Sequence, residues 1–166
     1  MRVKDKCQVT DGRGQVHTPK KVIIACGGRA YPKLGSDGSG YKFAKALGHT
    51  VIRPVPALTA LYTRQDFFKK VAGVRADGCI RLYITQDSKP AGDPPVPIAW
   101  DRGELQLTDY GISGIPVFQV SRFAAKALAQ KLHVKAVLDF MPDMDEGRLF
   151  MYLWDRAVSR PQKTAE

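Results

Sequence analysis

The sequence predicts an α+β protein: a hairpin, strand, glycine loop and helix, then a small β-barrel or folded sheet with helices towards the C-terminus. Three observations carry this expectation. The apolar run KKVIIAC ends directly on Gly27-Gly28 and is followed by three more glycines, Gly35, Gly38 and Gly40, before the helical YKFAKALGH. Beyond residue 50 the texture changes to short β-type runs, TVIRPV, ALTALYT, GCIRLYIT, GELQLT and VKAVLDF, separated by Pro- and Gly-rich connections. Two amphipathic stretches, SRFAAKALAQKL and EGRLFMYLWDRAVSR, have helical spacing.

The first element is a hairpin. CQVT and QVHT are short β-type runs, and the intervening DGRG is turn-forming. KKVIIAC lacks alternation, which suits a strand buried on both faces, as in a parallel sheet. GSDGSG (35–40) is a loop, and Ser36, Asp37 or Ser39 is placed to cap a helix of two to three turns whose C′ position is Gly48. The β-rich part follows, with SKPAGDPPVP as its longest breaker-rich connection. The expected partition is 1–50, 51–142 as a β-rich unit, and 143–166 as the start of a helical segment.

Composition sets outer limits. The 166 residues are 44% hydrophobic and 25% charged, an ordinary globular balance. No apolar run reaches about 18 residues, so no transmembrane helix is expected. MRVKDKCQVTDG has no apolar segment of the signal-peptide kind, and a cytoplasmic protein is the expectation. Cys7, Cys26 and Cys79 form no CxxC pair, and His17, His49 and His133 form no HxxxH pattern, so no metal site is expected. The net charge of +10 admits an acidic partner or a solvated basic surface. Basic runs no longer than pairs, such as Lys20-Lys21, favour the latter.

Glycines after a strand permit positive φ and let backbone N–H groups approach a ligand. A helix opening from the same loop adds a positive dipole end, for which phosphate or carboxylate is the natural guest. Two phosphate motifs fail. The order is GxxGxG rather than GxGxxG, and in the Walker pattern Lys42 comes one residue late with Phe43 after it. On local chemistry, a ligand-lined loop and a tight strand-to-helix connection both remain open.

The wider pattern resembles a known family. ACGG after an apolar run, with a hairpin before it, resembles the ATGG segment of flavoproteins with two dinucleotide-binding domains. GGRAYPKLGSDGSGYKFAKALGH, PALTALY, GELQLTDYGISGIPVFQVSR and LDFMP follow in order. Together they resemble the BaiN-like (aminoacetone-oxidase-like) NAD(P)/FAD-dependent oxidoreductases. Cys26 stands where that family has Thr, Asp37 and Ser39 replace Thr and Asp of GSTGDGY, and Ala30 replaces Ser before Tyr-Pro. Side-chain contacts there are altered, whereas backbone contacts at Gly27, Gly28, Gly38 and Gly40, beside Cys26, survive.

The resemblance implies the middle portion of a longer FAD enzyme. Part of an FAD-binding domain is followed, from about residue 51, by a small-barrel insert. The Gly-rich turn that seats the FAD pyrophosphate is not in this sequence, so the chain by itself is expected neither to retain FAD nor to be catalytic. Expected partners are the remainder of the parent flavoprotein, a small-molecule substrate and NAD(P)H, with no membrane or nucleic acid.

Tyr110 and Ser113, in GELQLTDYGISGIP, are the candidates to face substrate, since both hydroxyls can donate to a substrate oxygen. The alternative is a turn shaped by Gly111, Gly114 and Pro116. GISGI is not the GxSxG nucleophile elbow. Cys26 reads more simply as a small buried residue than as a reactive thiol, and Trp100 and Trp154 read as packing residues. Two other classes are a basic small-barrel nucleic-acid module, to which Arg81 and Tyr83 on one face of GCIRLYIT come nearest, and a structural interaction module.

Overall fold

A computed structural model describes residues 2–3, 6–85 and 96–162. Most of the SKPAGDPPVP connection, residues 88–95, lies outside the described residues. The chain divides into two compact units, 1–54 and 55–166.

In the first unit, β1 (Arg2–Val3) pairs antiparallel with β2 (Lys6–Cys7), and β3 (Val9–Thr10) with β4 (Val16–His17). The DGRG turn is held by Asp11, whose Oδ1 accepts from Arg13 N–H at 2.9 Å and Gln15 N–H at 3.0 Å. These backbone donors hold the Asp11 carboxyl below its ordinary value, the Gln15 bond contributing most. KKVIIAC, expected as a buried strand, joins no ladder, and Ile23 is 90% exposed. A strand needs a partner, and none of the described strands pairs with this run. A 3-10 turn at Pro32–Leu34 leads to α1 (Gly40–Ala46), two turns long. Gly48, at φ +91°, closes its C-terminus, and the His49 N–H donates to Ala44 O.

The second unit is a curled five-stranded antiparallel sheet. Its strands are β5 (Leu61–Tyr62), β6 (Arg75–Thr85), β7 (Ala99–Thr108), β8 (Gly111–Ser113) and β9 (His133–Asp139), in the order β5-β8-β7-β6-β9. It is a half-barrel, open between the edge strands β5 and β9. TVIRPV, expected as a strand, has no ladder, and the first pairing comes at Leu61.

Period-two alternation places Ile80 and Leu82 of β6 with Leu105 and Leu107 of β7 on the inner face, all buried. Against them packs α2 (Ile115–Ala129), through Val117, Val120, Ala124 and Ala127 at three- and four-residue spacing. Ser121, 1% exposed among them, donates to Phe118 O at 2.8 Å and accepts from Thr59 N–H at 3.2 Å, so its hydroxyl is fully used. Phe68, on a 3-10 turn (Asp66–Lys70), completes this core. The last helix, α3 (Glu146–Ser159), starts at Asp145, whose carboxylate accepts from Arg148 N–H at 2.8 Å. It buries no residue, and Trp154 is 58% exposed. Trp100, on the outer sheet face, is 63% exposed, and Trp154 stacks on Phe150 at 6.1 Å along the helix, so neither tryptophan is packed into a core as the sequence suggested.

Candidate functional site

In the first unit, the two halves of the glycine stretch fold onto each other. A Cβ added to Gly40, which is buried, would strike Cys26 Sγ; one on Gly28 would lie 3.1 Å from Tyr41 Oη; one on Gly38 would lie 3.1 Å from the Tyr41 ring. The structure therefore brings together Cys26, Gly27, Gly28, Gly38 and Gly40, with Tyr41 packed against Gly28 and Gly38 and Ser36 beside Gly27. Ser36 fastens the connection: its hydroxyl donates to Gly28 O at 3.0 Å and accepts from Ala30 N–H at 3.3 Å. Cys26 is exposed as a residue, contrary to the buried expectation, because its neighbours Val22 to Ala25 are uncovered.

The loop has its own anion. Asp37 Oδ1 accepts from Ser39 N–H at 2.8 Å, and that backbone bond chiefly holds the Asp37 carboxyl below its ordinary value. Of the three capping candidates, Ser39 occupies the N-cap position without a side-chain cap bond, and Asp37 serves it from two residues back. A phosphate at this helix start would meet a carboxylate already bound there. The N–H groups of Gly27 and Gly28 differ, since they donate to no described residue. With Gly27 at φ +74°, they form the part of the loop that an incoming oxygen can approach.

In the second unit, Tyr110 lies in the two-residue turn between β7 and β8, its ring stacked on Tyr62 at 4.7 Å, and its carbonyl accepts from Thr63 N–H. Ser113 ends β8 opposite Gln106. Neither hydroxyl bonds another described residue, and the two do not bond each other. Glycine is required directly after each of them. A Cβ at Gly111, φ +146°, would strike Leu61 O, and one at Gly114, φ +110°, would lie 2.5 Å from Glu104 O.

The outer sheet face is charge-compensated. Arg81 donates to Asp139 at 3.0 Å, Arg75 to Glu104 at 2.9 Å, and Arg102 forks onto Asp143 at 2.7 and 2.5 Å. Arg81 holds the Asp139 carboxyl below its ordinary value, and Arg102 does the same for Asp143. These partners, distant in sequence, went unseen in the strand pattern. They occupy the guanidinium groups a nucleic-acid face would need free. Among the described residues no three His, Cys, Asp or Glu converge as metal ligands, and no helix is long and apolar enough to cross a membrane.

A curled antiparallel half-barrel backed by one helix and followed by another defines a small-barrel-and-helix unit. Residues 55–165 match the family model described as HI0933-like protein barrel and H2TH domain. The chain is also 41% identical over 149 residues to the 3-dehydro-bile acid delta(4,6)-reductase of Clostridium scindens, covering 90% of this chain and 34% of that protein. The chain belongs to this HI0933-like, or BaiN-like, family of flavoprotein oxidoreductases. It spans about a third of the length of the curated relative it matches.

Proposed function

We propose that this chain is the central portion of an FAD-dependent oxidoreductase. In this reading residues 1–50 are part of the FAD-binding domain, 51–142 the barrel insert, and 143–166 the start of a helical segment. The observation that carries it is the convergence of Cys26, Gly27, Gly28, Gly38 and Gly40 around unengaged backbone donors, in a chain belonging to a flavoprotein family.

The fit to FAD is through backbone. Ser36, Asp37 and the Cβ spaces of Gly28, Gly38 and Gly40 are already used by the protein itself. Gly27 and Gly28 would hold the cofactor through their N–H groups, while Tyr41 and Cys26 brace the loop behind them. The flavin, when bound, supplies hydride transfer to or from a small organic substrate, with NAD(P)H as the proposed reductant. Tyr110 and Ser113 would orient that substrate by donating to one of its oxygens. The reaction class agrees with the reductase name of the relative.

The test is the visible absorption spectrum of the complete parent protein as purified. A flavin spectrum is expected, with the bound flavin lost or sharply reduced in Gly28→Ala at unchanged far-UV circular dichroism. A colourless parent, or full flavin content in Gly28→Ala, would assign the cofactor contact elsewhere.

A further inference from the structure

Of the two edges of the sheet, β5 offers two residues and β9 seven. β9 pairs with β6 along its whole length, from Cys79↔Asp139 to Thr85↔His133, without a bulge. Leu82 O accepts from Ile98 N–H and so points towards β7. In an antiparallel ladder the backbone groups of the flanking Arg81 and Tyr83 then point towards β9, where Val137 and Lys135 meet them. By the same alternation the N–H and C=O groups of Val134, Ala136 and Leu138 face away from β6. No described residue bonds them. β9 therefore presents a free edge of the kind that recruits another strand, with neither a proline nor a bulge to blunt it.

Charge selects what pairs there and in which register. Lys135, Val137 and Asp139 lie on the outer sheet face with their partners Tyr83, Arg81 and Cys79. Lys135 is exposed and makes no ion pair with any described residue. We propose that β9 pairs antiparallel with β9 of a second copy of this chain, about a two-fold axis at Val137. Lys135 of each copy then stands opposite Asp139 of the other, Val137 opposite Val137, and Ala136 opposite Leu138 on the inner face. An axis at Lys135 would oppose two lysines, and one at Ala136 would set Lys135 against Val137, so only the Val137 register matches opposite charges directly at Lys135. The pairing is isologous and satisfies the edge groups of both copies at once. It lies in the second unit and does not depend on the flavin reading.

The experiment is sedimentation of the 166-residue chain at rising concentration, with cysteine cross-linking to fix the register. A monomer–dimer equilibrium is expected. Lys135→Gln removes both ion pairs and should weaken the dimer about two- to thirtyfold. Ala136→Pro removes an edge-facing N–H from each copy while leaving the ladder to β6, and should weaken it at least about tenfold. In a Cys7→Ser, Cys26→Ser background, Val137→Cys should form a disulfide-linked dimer under mild oxidation. Directly opposed residues at such a position lie about 4.5 Å apart between Cα atoms, within disulfide range. Ala136→Cys should stay monomeric in the same gel, since its copies are diagonal, about 7–8 Å apart. The cysteine pair carries the test if Ala136→Pro unfolds the sheet. A chain monomeric at every concentration would overturn the proposal, as would a dimer that folded Ala136→Pro leaves intact. Cross-linking at Ala136→Cys and not at Val137→Cys would overturn it too.

Discussion

Replacing Gly111 by Ala tests the closure of the half-barrel at its β5 edge. Gly111 has φ +146°, and the added Cβ would strike Leu61 O while sitting 3.2 Å from Thr63 N and from Tyr62 Cα. All three atoms are backbone, so no rotamer change relieves the contact, and β5 must leave β8. The pairs Leu61↔Ile112 and Tyr62↔Gly111 are then lost, with the Thr63 N–H to Tyr110 O bond at 3.0 Å. Backbone strain costs about 1–3 kcal/mol, and each lost hydrogen bond about 1 kcal/mol, giving about 3–5 kcal/mol together. For a unit of this size that lowers Tm by roughly 10–20 °C. Gly73 supplies the control: it has φ +91°, and nothing lies within 4 Å of its Cβ position. Gly73→Ala therefore costs strain alone, about 1–2 kcal/mol. The assay is thermal unfolding by circular dichroism, with the near-UV signal reporting the stacked Tyr62–Tyr110 pair. Equal losses in the two variants, or an intact tyrosine signal in Gly111→Ala, would refute the reasoning.

Leu105→Ala removes a fully buried side chain between β6 and α2, and should cost about 2–5 kcal/mol in denaturant unfolding at constant m-value. The Asp139 carboxyl, ordinarily at 3.8, is depressed in the folded state chiefly by Arg81. Its stabilising contribution is present above about pH 4 and lost as pH falls through the native value. Wild type should therefore lose its advantage over Arg81→Gln as melts are taken from about pH 5 down to pH 2; a constant difference would remove Asp139 from the account.

Local elements were legible because local chemistry decides them. The DGRG turn closes on its own Asp11, α2 shows its three- and four-residue spacing, and the alternation of GELQLT survives as β7. The glycine cluster was legible as a list of residues, but not as an arrangement. That Gly40 exists to admit Cys26 Sγ, and Gly38 to admit Tyr41, depends on a chain reversal no pattern encodes. KKVIIAC shows the converse: strand-forming residues specify a strand only when a partner supplies the ladder. The arginine–carboxylate pairs join residues 29 to 58 positions apart, and the β5–β9 opening depends on the sheet's curl. Both are tertiary facts. Trp100 faces outward for a related reason, since its face is decided by register with Arg81, not by its hydrophobicity.

The proposed cofactor role is tested most directly by calorimetric titration of FAD into the purified 166-residue chain, with its visible spectrum recorded first. In this chain the candidate contacts are two backbone N–H groups at Gly27-Gly28, each contributing about 1 kcal/mol. A 1:1 site tighter than 1 μM requires about 8 kcal/mol. The account predicts a colourless chain whose affinity for FAD is weaker than about 1 μM, beside a complete parent that purifies with flavin. Yellow chain as isolated, or a 1:1 FAD site below about 1 μM, would contradict it.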